Sequence, residues 1–81
     1  MPKSRLRGEA ATIHRTLGRN VQELLEAAGM SQERLAKLCG LSRSYLSLIE
    51  GARVNVTLGA VVRIARVFDV EAIDLLTTYN C

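Results

Sequence analysis

The stretch QERLAKLCGLSRSYLSLIEG, Gln32 to Gly51, decides how the rest of the chain is read. It divides into two short amphipathic segments about a turn. Leu35, Leu38 and Cys39 recur at helical spacing in the first, and Leu46 and Ile49 repeat it in the second. Ser31 and Ser42 each stand one residue ahead of a segment, where a hydroxyl accepts a bond from the free N–H groups of an opening helical turn. Gly40 falls between them, where the backbone must reverse, and glycine enters positive φ without steric cost. Ala36 is small enough for two helices to cross closely. Leu41 keeps the turn apolar, and Gly51 is expected to end the second helix.

Upstream, Ile13, Leu17, Val21, Leu24, Leu25 and Ala28 recur at helical spacing, which predicts a first helix from about residue 10 to Ala28, ended by Gly29. Thr12 is a candidate cap, and Gly18-Arg19-Asn20 lowers helix propensity midway. Residues 1–9, with Pro2, Ser4, Gly8 and alternating charges, read as a mobile basic arm, and residues 10–81 as the folded domain. Downstream, residues 52–56 read as a loop and Thr57 as the cap of a fourth helix, Leu58 to about Phe68. Leu58, Val61, Val62, Ala65 and Phe68 are expected on its buried face, with Arg63 and Arg66 outside. A short last helix, about Glu71 to Thr77, carries Ile73, Leu75 and Leu76. The expected fold is all-α, a compact five-helix domain built on a helix-turn-helix unit at residues 31–51.

Eighty-one residues suit one domain with a modest core. A composition 48% hydrophobic but only 4% aromatic is that of a compact helical protein. No apolar run approaches the roughly 18 residues of a membrane span. Lys3, Arg5 and Arg7 are followed by no apolar core of a secretory signal, so a cytoplasmic protein is expected. Cys39 lies on an apolar face and Cys81 is the last residue, which with one histidine gives no zinc-site spacing. His14 has no Ser–His–acid arrangement around it, and there is no Gly-rich phosphate loop. No cofactor and no catalysis are expected. The net charge of +3 is concentrated at the front, since Lys3, Arg5 and Arg7 precede the first acid, whereas Arg53, Arg63 and Arg66 are balanced by Asp69, Glu71 and Asp74. A basic front with a near-neutral back suits a protein with one nucleic-acid face.

The central unit resembles the helix-turn-helix of phage Cro and repressor-type (Xre-like) regulators. That family carries a Gln opening the first helix, a small residue four further on, a turn Gly, and an apolar–Glu pair closing the second helix. Here these are Gln32, Ala36, Gly40 and Ile49-Glu50, and the likeness runs over about residues 17–76. It implies a repressor-like fold whose second helix, about Ser42–Glu50, enters the major groove of DNA. Arg43 is then the main base reader, because its planar fork matches guanine O6 and N7 together. Ser42, Ser44 and Ser47 offer hydroxyls, and Leu48 can meet a thymine methyl. Gln32 and Tyr45 are placed for phosphate, as are Arg53 and Asn55, with turn stabilisation the alternative for Asn55. Glu50 is expected to pair with a basic side chain or to support the loop. Many relatives have an arginine where Leu25 stands, so apolar area replaces one possible phosphate contact.

The resemblance also implies a homodimer on a near-palindromic double-stranded operator, without a small-molecule effector or a membrane partner. The interface expected is Phe68, Val70, Ile73 and Leu76, with Tyr79 beside them, and plain core packing is the alternative for Phe68. A domain of this size is similar to the controller proteins of restriction–modification systems. A phage-type repressor or an antitoxin-like protein-interaction module on the same fold is the alternative.

Overall fold

The computed structural model describes the backbone of residues 3–77, with side chains from residue 11 onward. Met1, Pro2 and residues 78–81, hence Tyr79 and Cys81, lie outside the described residues. The described chain forms α1 (Lys3–Ala28), α2 (Gln32–Cys39), α3 (Arg43–Glu50), α4 (Leu58–Val67) and α5 (Ala72–Leu75). α1 thus begins well before residue 10, and residues 3–9 of the expected arm are helical. Lys3, Arg5, Leu6, Arg7, Glu9 and Ala10 are strong helix formers, and Gly8 alone costs only about 1 kcal/mol against them. Thr12 therefore lies inside the helix and not at its start.

The helix starts follow the side-chain chemistry. Ser31 Oγ accepts from Arg34 N at 3.1 Å, Ser42 Oγ from Tyr45 N at 3.0 Å, and Thr57 Oγ1 from Ala60 N at 3.1 Å. The helix ends share one closure. The amide of Met30 donates to Leu25 O, Leu41 to Ala36 O, Arg53 to Leu48 O and Val70 to Ala65 O, each reaching back over a residue in the left-handed region. Those four residues are Gly29, Gly40, Ala52 and Asp69, with φ of 63°, 72°, 56° and 55°. Two are glycines and were expected to serve so. Gly51 ends α3 as its cap, as expected, but at φ −86°, and the left-handed position falls on its neighbour Ala52.

The core forms where α1 packs on α3 and α5, α2 on α3 and α4, and α4 on α5. Leu17, Val21 and Leu25 face inward from α1 to meet Leu35, Leu46, Ile49, Ile64 and Leu75. Cys39 is buried among them as a small apolar residue. Several expected apolar-face positions face outward instead: Leu38 is 50% exposed and Leu58 76%, and Ile13, Ala28 and Val62 also stand at the surface. α4 is apolar almost all round, so its pattern admits several faces, and packing selects Ala60, Val61, Ile64 and Ala65. Leu58 is the first residue of the helix, just after its Thr57 cap.

The weak centre of α1 is where the chain is tied together. Gly18 is buried against the end of α3, and a Cβ on it would lie 2.5 Å from the carbonyl oxygen of Glu50 and 2.9 Å from that of Ile49. Only a bare Cα permits that approach. Two residues on, Asn20 reaches the far end of the chain: its Nδ2 lies 2.8 Å from the Leu75 carbonyl oxygen. Gly18→Ala should lower unfolding free energy in urea by about 1–3 kcal/mol through forced overpacking. That loss outweighs the gain in helix propensity of about 1 kcal/mol that alanine brings. An unchanged or raised urea midpoint would show that α1 does not approach α3 so closely.

Candidate nucleic-acid interface

α3 is divided by burial into two faces. Leu46 and Ile49 are fully inside, so Arg43, Ser44, Ser47 and Leu48 form an exposed outer face. Leu48, at 41% exposure, is an apolar residue held in solvent beside two hydroxyls and a guanidinium. Arg43 is the first residue of the helix, and among the described residues no acid neutralises it. Ser42, just before it, uses its hydroxyl to cap the helix. Arg53 and Asn55 are exposed in the loop that follows α3. The structure thus brings Ser42, Arg43, Ser44, Ser47 and Leu48 onto one short helix and its cap, with Arg53 and Asn55 beyond its other end.

Two expected phosphate groups are already engaged with protein. Tyr45 is half-buried, and its hydroxyl accepts from the Thr57 amide at 3.4 Å, linking α3 to the cap of α4. Gln32 opens α2 half-buried, and its amide hydrogen-bonds to the Glu50 carboxyl at the close of α3. Of the two expectations for Glu50, a basic partner or support of the loop, the first gives way to an amide partner, Gln32. Its Oε2 is buried with no hydrogen-bond partner. Burial pushes this carboxyl above its ordinary value of 4.5, and the Gln32 amide pulls it back in part.

Among the interface residues expected at the C-terminal end, Phe68, Val70 and Leu76 are half-buried against the core, whereas Ile73 is 68% exposed. Two residues that position this layout, Gly18 and Asn20, register in the sequence only as helix-weakening. The signal for them was present: two poor helix formers sit in the middle of an otherwise regular apolar stripe. Among the described residues no group of three or more His, Cys, Asp or Glu converges to hold a metal ion. No helix there is long and apolar enough to cross a membrane.

This arrangement, a capped helix with a polar outer face crossed by a second helix, is that of a DNA-reading helix-turn-helix. The chain belongs to the helix-turn-helix domain family, whose model matches residues 16–76. More narrowly, it is a DNA-binding transcription regulator related to restriction–modification controller proteins. Control protein C.BamHI of Bacillus amyloliquefaciens is 38% identical over 73 residues, covering 85% of this chain and 90% of that protein. The crystal structure of the restriction-modification controller protein C.AhdI from Aeromonas hydrophila superposes with a TM-score of 0.73 at 39% identity, over 76% of this chain and 94% of that one. A hypothetical transcription factor of Neisseria meningitidis is 44% identical over 48 residues, which span 59% of this chain and 45% of the relative. These relatives are regulators, not enzymes.

The Glu50 carboxyl has a consequence for stability. Its raised value means the folded protein holds the proton more tightly than the unfolded chain does. The contribution is therefore fully present below pH 4.5 and lost as pH rises through the folded-state value. At neutral pH the charged carboxylate, with one oxygen orphaned, opposes folding. Glu50→Gln removes the charge and keeps the shape. It should raise the melting temperature at pH 7, with the difference from wild type shrinking as the pH falls below 4.5. Melting curves at several pH values check this, and a gain that persists undiminished at low pH would contradict it.

Proposed function

We propose that the protein is a homodimeric regulator that reads a near-palindromic operator through the outer face of α3 and acts in the bacterial cytoplasm as a restriction–modification controller. The observation that carries this reading is Arg43, an exposed arginine with no acidic partner among the described residues, at the opening of a helix whose other face is buried. Side chains at the start of such a helix reach base edges, and an arginine there can grip guanine O6 and N7 together. Ser44, Ser47 and Leu48 flank it as weaker readers. Arg53 and Asn55 serve as phosphate contacts, and Gln32 and Tyr45, bonded to Glu50 and Thr57, each keep one further donor for phosphate. The controller role is supported by likeness to C.BamHI over 90% of that protein's length.

A single unit of this size makes few base contacts, so specific binding calls for two reading helices about one DNA turn apart. Exposed Ile73, with Val70 and Leu76 beside it, offers a self-complementary apolar patch. Sedimentation at micromolar concentration should give about twice the monomer mass, and Ile73→Asp should return it to the monomer. A monomeric wild type would remove the dimer from this reading and leave the DNA face to be tested separately.

Arg43→Ala tests the reading helix itself. Because the side chain is exposed, the melting temperature should hardly change. Affinity for the selected operator should fall by about 1–3 kcal/mol for each half-site, with relaxed preference at one symmetric pair of positions. Binding to random DNA should lose at most about one counterion's worth of salt dependence. The measurement is a base-by-base competition titration at fixed salt. Equal loss on operator and random DNA would make Arg43 a phosphate contact only.

A further inference from the structure

Gly18 and Asn20, two residues apart in α1, hold opposite ends of the functional layout. Gly18 rests on the carbonyls that end the reading helix. Asn20 Nδ2 lies 2.8 Å from the carbonyl oxygen of Leu75, 3.0 Å from that of Thr77 and 3.3 Å from that of Asp74. The Asp74 and Leu75 carbonyls end α5, and Thr77 follows just beyond it; α5 is a four-residue helix with too few internal bonds to stand alone. Terminal carbonyls have no partner within their own helix. Asn20 supplies donors for them from across the fold.

We propose, resting on the dimer reading above, that Asn20 is a positioning residue for operator recognition: by bonding the end of α5 to α1, it fixes the exposed Ile73 face relative to α3 and so sets the half-site spacing the dimer accepts. The path from reading helix to dimer face then runs through three residues of one continuous helix. Leu75 is the buried residue of α5, and its apolar contact is non-directional, so alone it would let the short helix rock. Hydrogen bonds to carbonyls are directional and remove that freedom. The lever is long enough to matter. A tilt of roughly 10° acting over roughly 17 Å, half a DNA turn, moves the reading helix by roughly 3 Å, close to one base-pair step. Ile73, pointing away from the core on the same helix, would carry any such tilt directly into the interface.

The test uses duplexes selected in vitro for binding the wild-type chain. Each is remade with the spacer between half-sites one base pair longer or shorter, alongside a single half-site duplex. Wild type should strongly prefer the selected spacing. Asn20→Ala, which favours the helix locally, should keep the helical circular dichroism and the single half-site affinity. Its preference for the selected spacing should fall by about five- to tenfold, the scale of one or two lost hydrogen bonds. Asn20→Asp has the same shape but no donors, and should lose the preference as well, whereas Asn20→Ser, with one donor, should fall between. These last two variants carry the test if alanine disturbs the fold. An unchanged spacing preference in Asn20→Ala and Asn20→Asp, or a loss equal on the single half-site, would overturn the assignment. A wild-type chain that binds one and two half-sites equally would instead defeat the dimer reading.

Discussion

The close approach of α1 to the end of α3 at Gly18 is the constraint on which the rest depends. Backbone there meets backbone, with the Glu50 and Ile49 carbonyls where a side chain would otherwise stand. A contact made through flexible side chains can breathe, but one made through backbone sets a fixed separation. α3 has only eight residues and would not hold its helix in water by itself. Its orientation is therefore a tertiary property, imposed by Gly18 on one side and by the burial of Leu46 and Ile49. The outer face of Arg43, Ser44, Ser47 and Leu48 is aimed by what happens on the inner one.

Polar groups then pin both ends of that helix to its neighbours. Tyr45, near the start, accepts at its hydroxyl from the Thr57 amide at the head of α4. Glu50, at the close, takes the Gln32 amide at the head of α2. The second pin is made with a carboxyl raised by burial, and one of its oxygens is left unpartnered. Apolar burial supplies most of the energy of a fold this small, while such polar links choose one arrangement among several of similar packing. The two links bind the opening and the close of α3 to the heads of α4 and α2, so the helix is held from both ends.

The helix ends show a related economy. Four successive helices close by the same backward-reaching amide, and only two of the four left-handed positions are glycine. Asp69 can ease that conformation with local bonds from its short polar side chain. Ala52 has no such means, and it carries strain of roughly 1–2 kcal/mol at the end of α3. That strain is borne by the turn that sends the chain from α3 into the loop of Arg53 and Asn55.

The sequence by itself determined the local grammar. Ser31, Ser42 and Thr57 mark helix starts because a hydroxyl at that place satisfies free amides whatever surrounds it. Gly29 and Gly40 mark helix ends because positive φ is cheap for glycine alone. The division of Ser42–Glu50 into buried Leu46 and Ile49 and an outer polar face is legible too, since two apolar residues three apart share one face of a helix. Tertiary structure decided the rest. The apolar surround of α4 let several faces serve, and its neighbours chose Ile64 over Val62. The partner of Glu50 became Gln32 because the two ends meet in space, a fact no spacing of eighteen residues encodes. Gly18 and Asn20 looked like flaws in a helix, because their value lies in carbonyls of Glu50 and Leu75 that only the folded chain brings to them.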